Sequence, residues 1–108
     1  MSRAQMIAAI AVAAQLVAGA AVAQAPPVDG KALFHEKCAM CHGPGGMGTG
    51  LLVRRVQPPE LEKRDNLNAA YVFQYARRGL GNMPPIPPGE ANDIQLRAIG
   101  DYLARGRK

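Results

Sequence analysis

Cys38-Ala39-Met40-Cys41-His42 decides how the rest of this 108-residue chain is read. C-x-x-C-H is the attachment pattern of a covalent c-type haem, and the chemistry explains its spacing. Each thiolate adds to one of two neighbouring vinyl groups on the porphyrin edge, and a helical turn places residues three apart on one face. The histidine beside the second cysteine then reaches under the ring and offers an imidazole nitrogen to the iron. The motif therefore predicts one covalently attached haem c, held by Cys38 and Cys41 with His42 as proximal ligand.

Other uses of these residues fit less well. A thioredoxin-type C-x-x-C needs a βαβ setting, and no strand pattern flanks the motif. A zinc site wants a second pair of ligands, but Cys38 and Cys41 are the only cysteines and His35 is the only other histidine. A disulfide between the two would close too small a loop to stabilise a fold much.

The start of the chain reads as an export signal. Arg3 gives a positive beginning, Met6 to Val22 is an apolar, alanine-rich run broken only by Gln15 and Gly19, and Ala21-Val22-Ala23 offers small residues to a signal peptidase. Cleavage after Ala23 divides the chain into a signal peptide over 1–23, a flexible tail over 24–29 and a domain over 30–108. The competing reading is an uncleaved membrane anchor, but the run is barely long enough to span a bilayer and no basic residues follow it. Export agrees with the motif, since c-type haems are attached outside the cytoplasm in bacteria, and it places the mature protein in the periplasm, off the membrane.

What remains is one small domain with a limited core. With both cysteines committed to thioethers there is no disulfide to staple it, so a large apolar haem must replace much of the ordinary core. The absence of tryptophan and the low aromatic content agree. The formal net charge of +5 includes Arg3, and haem propionates would lower it further. Scattered basic residues on an exported chain argue against nucleic-acid binding, while moderate positive charge suits steering toward an acidic protein.

The pattern along the chain is helical throughout, with no repeat and no strand. Asp29 is placed to cap a first helix running through Leu33 and Phe34 into Cys38 and Cys41. Gly43 to Gly50, with five glycines, is expected to be a loop close to the haem. Leu51 to Val53 is a brief apolar segment, and Gln57 to Asp65 reads as a surface connection or short helix. Asn68 is placed to cap a helix with Ala69, Val72, Phe73 and Ala76 on one face. Gly81 to Gly89 is too proline-rich to be helical. Asn92 or Gly89 begins a last helix whose apolar stripe is Ile94, Ala98, Ile99, Tyr102 and Leu103.

A six-coordinate electron-transfer haem needs a second axial ligand, and a thioether sulfur is a soft, neutral donor that raises the potential. Met1 and Met6 leave with the signal, Met40 sits inside the attachment motif, and Met47 is too near His42 to cross easily to the opposite haem face. Met83 lies far enough along for the chain to wrap the disc, and Pro84-Pro85 and Pro87-Pro88 stiffen its loop. The plainer role for Met83 is a core filler. His35, on the same short helix as Cys38, cannot reach the distal side and reads as a surface histidine. The metal ligands expected are thus His42 and Met83.

These features together resemble a class I bacterial cytochrome c: Gly30-x-x-Leu33-Phe34 ahead of the C-x-x-C-H motif, the Met83-Pro84 loop, and the final Ile99-x-x-Tyr102-Leu103 helix. The resemblance spans nearly the whole chain after the signal. It implies an all-α fold of three to five helices wrapped around one covalent haem c. The first and last helices would cross at positions that map to Gly30, Phe34 and Tyr102. One feature departs from the family, in which a proline several residues after the haem histidine supplies a carbonyl to the imidazole N–H. Thr49 or Gly50 occupies that region here.

Gly48-Thr49-Gly50-Leu51, Ala70-Tyr71-Val72, and Arg78-Gly79-Leu80-Gly81-Asn82-Met83-Pro84 resemble, more narrowly, the cytochrome subunits of p-cresol methylhydroxylase-like, phenol-oxidising flavocytochromes. That resemblance implies a periplasmic electron carrier rather than an enzyme, taking electrons one at a time from a flavoprotein dehydrogenase. The downstream acceptor would be a copper protein, a cytochrome or an oxidase. A free soluble carrier serving an oxidase is the alternative. An open-site haem enzyme or gas-binding protein would need distal polar groups, and the neighbours of Met83 are proline, isoleucine and glycine.

Overall fold

The protein is described over residues 27–105 of a computed structural model; the expected signal peptide, residues 24–26 of the tail and the last three residues lie outside this range. Five helices run in chain order among the described residues: α1 Gly30–Lys37, α2 Ala39–His42, α3 Met47–Leu52, α4 Ala69–Arg78 and α5 Asp93–Ala104, with a 3-10 turn at Leu61–Lys63. Among the described residues there is no strand, only one isolated bridge between Leu80 and Met83. The fold is all-α.

The three long helices begin where a side chain satisfies their unpaired N–H groups. Asp29 Oδ1 accepts from the amides of Lys31 and Ala32 at 3.0 and 3.1 Å. Asn68 Oδ1 accepts from those of Ala70 and Tyr71 at 2.8 and 3.3 Å. Asn92 and Gln95 form a reciprocal capping box at the start of α5. α4 stops at Gly79, whose φ of +74° a residue with a Cβ adopts only under strain.

α1 and α5 cross, and α4 packs along α5. Phe34, Ala76, Leu96, Ile99 and Leu103 form one buried cluster from these three helices. Where α5 meets α4, a Cβ on Gly100 would lie 2.8 Å from the Ala69 carbonyl oxygen. The 3-10 turn is tied in by Glu62, which accepts from the Tyr102 hydroxyl and meets His35 Nε2 at 3.1 Å.

Three local expectations change. The first helix does not run unbroken into Cys41: Cys38, at φ −123° and ψ −30°, ends α1 and starts α2. Hydrogen bonding nevertheless continues through it, since its N–H donates to Phe34 and its carbonyl accepts from Cys41 and His42. The glycine-rich stretch is not wholly a loop, because Met47–Leu52 is helical. Its glycines serve close approach, as a Cβ on Gly46 or Gly48 would stand 2.4 or 2.9 Å from the Cys41 carbonyl oxygen. Ile94 drops out of the apolar stripe at 65% exposed; the buried face of α5 is Leu96, Ile99, Gly100 and Leu103.

Candidate cofactor-binding site

The C-x-x-C-H segment is a single helical turn, α2, held at both ends. The His42 amide donates to the Cys38 carbonyl at 2.9 Å and the Gly43 amide to that of Ala39 at 2.8 Å. Cys38 is half-buried against the core, Cys41 is exposed, and both are free thiols. Burial pushes the Cys38 thiol up to about 11, against the pull of neighbouring Lys37. A thiol that stays protonated at neutral pH is a poor nucleophile, the opposite of what a thiol–disulfide exchanger requires.

His42 is half-buried, and burial lowers its pKa, which favours the neutral imidazole that binds metals. Among the described residues its Nδ1 is the one buried side-chain nitrogen or oxygen without a hydrogen-bond partner. Neither Thr49 nor Gly50 serves as its acceptor. The Thr49 hydroxyl instead donates to the Gly43 carbonyl at 2.7 Å, with the Cys41 carbonyl at 3.4 Å, and so braces α3 against the turn that follows His42.

The Met83 segment is positioned from α4. Beyond Gly79 the chain reverses within four residues: the Leu80 amide donates to the Met83 carbonyl at 3.0 Å and the Met83 amide returns a bond at 2.9 Å, around Gly81 at φ +57°. A Cβ on Gly79 would lie 2.6 Å from the Met83 carbonyl oxygen, so that glycine also makes room for the loop. The Ile86 amide then ties the chain back to the Ala76 carbonyl at 2.8 Å. Met83 is half-buried, and with Cys38, Ala39, Phe73 and Ile86 it packs against the same buried cluster. The attachment turn and Met83 thus share one core, whereas Met40 and Met47 stand 90% and 70% exposed. His35 is exposed, with Glu62 as partner.

Arg77 is one of the basic residues scattered along the sequence, and the structure turns it inward. Its Nη1 donates to the Ile86 and Ala91 carbonyls at 2.9 and 2.8 Å, and its Nη2 to Asp93 at 2.6 Å. The available signal was the run of prolines that follows, which removes backbone donors and leaves carbonyls to be satisfied from elsewhere.

This donor set fits a haem. Two free thiols and a neutral imidazole with an unpaired buried nitrogen lie in one turn, a thioether packs on the same cluster, and Leu51 and Leu80 expose apolar surface on α3 and on the Met83 loop. Among the described residues no group of three or more His, Cys, Asp or Glu side chains gathers as a metal site of the zinc kind. No helix among them is long and apolar enough to cross a membrane.

Residues 25–103 match the family described as cytochrome c oxidase, cbb3-type, subunit III. The chain is also similar to a chain in the crystal structure of p-cresol methylhydroxylase with substrate bound, at 32% identity and a TM-score of 0.56. The match covers 71% of this chain and 90% of that one. No curated protein matches it.

Proposed function

The chain belongs to the cytochrome c family whose cbb3-type subunit III description it matches over residues 25–103, and on that footing we propose that it is a periplasmic single-haem electron-transfer protein. Family membership carries electron transfer and haem c. The finer assignment rests chiefly on one observation: the attachment turn and Met83 pack against the same buried cluster.

In this reading Cys38 and Cys41 would hold one haem through two thioethers, and His42 and Met83 would be its iron ligands. When bound, the haem supplies a one-electron iron couple. The protein's residues do the rest. His42 is kept neutral by burial, a thioether opposite an imidazole raises the potential, and the hydrogen-bonded Leu80–Met83 reversal fixes the sulfur's backbone. The donor we propose is a flavoprotein dehydrogenase. The similarity to a p-cresol methylhydroxylase chain supports it, as does the Arg78-to-Pro84 run shared with phenol-oxidising flavocytochromes. A copper protein, cytochrome or oxidase would accept the electron. Export through the signal over 1–23 would deliver the chain to the compartment where such haems are attached.

The deciding experiment is mass spectrometry of the denatured protein, made in a host with working cytochrome maturation. One haem mass that survives acid–acetone extraction is expected. The bare polypeptide alone would overturn the proposal.

A further inference from the structure

Four of the five residues in Pro84–Pro88 are proline, so this segment has almost no backbone donors with which to fasten itself. Its single N–H, on Ile86, is spent on the Ala76 carbonyl. Ile86 also packs against the core, and the side-chain hydrogen bonds that tie the segment to the helices come from one residue. Arg77, half-buried on the last turn of α4, sends Nη1 to the Ile86 and Ala91 carbonyls and Nη2 to Asp93 on the first turn of α5. Its guanidinium lies 5.4 Å from the centroid of the Phe73 ring one turn earlier, which limits its freedom. A rigid planar fork with several donors can serve three acceptors at once; an ammonium cannot do so in the same geometry.

From this we propose that Arg77 is a positioning residue, whose guanidinium fastens the Pro84–Ala91 segment to α4 and α5 and thereby holds the Met83 sulfur in place against loop opening. The inference rests on the reading of Met83 as an axial ligand. Arg77 itself touches neither the sulfur nor the iron; it acts through the Ile86 carbonyl, three residues from Met83 along a chain stiffened by prolines. Arg97 provides the control. Its guanidinium is also stacked near Phe73, at 5.2 Å, and it too lowers the pKa of Asp93, but it makes no hydrogen bond to the loop.

The test compares haem-loaded parent protein with Arg77→Lys, Asp93→Asn and Arg97→Gln. It reads the rate of cyanide binding by the oxidised protein, amide hydrogen exchange at Ile86, and the denaturation midpoint. Loss of charge-assisted bonds to the loop should raise the cyanide rate and the Ile86 exchange rate in Arg77→Lys by about tenfold. Asp93→Asn should show a smaller rise and Arg97→Gln none. The proposal fails if Arg77→Lys binds cyanide and exchanges Ile86 at parental rates. It also fails if both rates change only by the factor expected from the loss of global stability, which would make Arg77 a general structural residue. A parent protein without the sulfur-to-iron band in the far red would remove Met83 as ligand. Ile86 exchange would still decide whether Arg77 fastens the loop.

Discussion

Gly30 lies directly against Ala98: a Cβ on Gly30 would sit 2.1 Å from the Ala98 carbonyl oxygen and 3.0 Å from Tyr102 Cβ. α1 and α5 therefore touch backbone to backbone, and one turn further on the Phe34 and Tyr102 rings lie with centroids 6.1 Å apart. The crossing fixes the position of α1, and Cys38 follows directly at its end.

Gly30→Ala tests that contact because two effects oppose each other. Alanine favours a helix over glycine by about 0.5–1 kcal/mol, whereas overpacking a tight contact costs about 1–3 kcal/mol. With backbone at 2.1 Å there is no side chain to move aside, so the cost should win. Chemical denaturation should show a net loss of stability; a more stable variant would mean that the helices are not in contact.

Much of this arrangement was legible in the sequence where a local rule had a single outcome. Asp29 and Asn68 cap helices as expected, and of Asn92 and Gly89 it is Asn92 that caps the last one, because a short polar side chain before an amphipathic run has few better uses. C-x-x-C-H pointed to haem c through its spacing, and the family match agrees with that cofactor. Glycines were harder, since they mark either turn freedom or close approach: the stretch from Gly43 to Gly50 reads as loop, yet Gly46 and Gly48 are needed because α3 presses on the Cys41 carbonyl. Arg77 could not be separated from Arg54, Arg55 and Arg78 by composition. Only the return of the proline segment to α4 distinguishes it, and that is a tertiary fact. The leader and the cofactor ligation rest on sequence and family.

Thr49 is the one buried polar residue among the described residues, and its hydroxyl braces the Gly43 carbonyl. Thr49→Val keeps the shape but removes one of the two donors to that carbonyl, which keeps the Gly46 amide at 3.1 Å, so the loss should be that of one hydrogen bond, about 0.5–1.5 kcal/mol. Thr49→Ser should recover most of it in denaturation curves. Equal losses in the two variants would point to packing and away from the hydroxyl.

Met83→Ala should abolish the far-red sulfur-to-iron band of the oxidised protein, admit exogenous ligands and lower the potential. Met47→Ala should leave all three unchanged, as that side chain is largely exposed on α3. The reverse pattern would move the axial assignment to Met47.

The hydrogen bond from Arg77 lowers the pKa of Asp93; desolvation opposes it, and the charges of Arg77 and Arg97 add to the lowering. A carboxylate whose folded-state pKa is depressed adds stability above its ordinary value and loses it as pH falls through the lowered one. Stability should therefore fall more steeply below about pH 4 in the parent than in Asp93→Asn. The variant should be the weaker protein at neutral pH, and the two curves should converge in acid. Parallel curves measured by urea denaturation from pH 2 to 7 would show that the pair contributes nothing.

Transfer between proteins requires close approach to the haem edge, and Met40, between the two cysteines, is at 90% the most exposed large apolar side chain among the described residues. An apolar residue at that point allows approach with little desolvation cost. Ile86, in the ligand loop, is half-buried against the core, so the apolar side chain that the loop exposes is Leu80, at 64%. Arg54, Arg55 and Arg78 are exposed and free to steer an acidic partner, unlike Arg77. In stopped-flow reduction by the proposed flavoprotein donor, Arg78→Glu should slow association by about tenfold at low salt, with the difference shrinking as salt rises. Met40→Glu should weaken the complex at every salt concentration, because it places a charge where water must leave. If Met40→Glu and Leu80→Glu fold, keep their potential and are reduced at parental rates, the partner docks on another face.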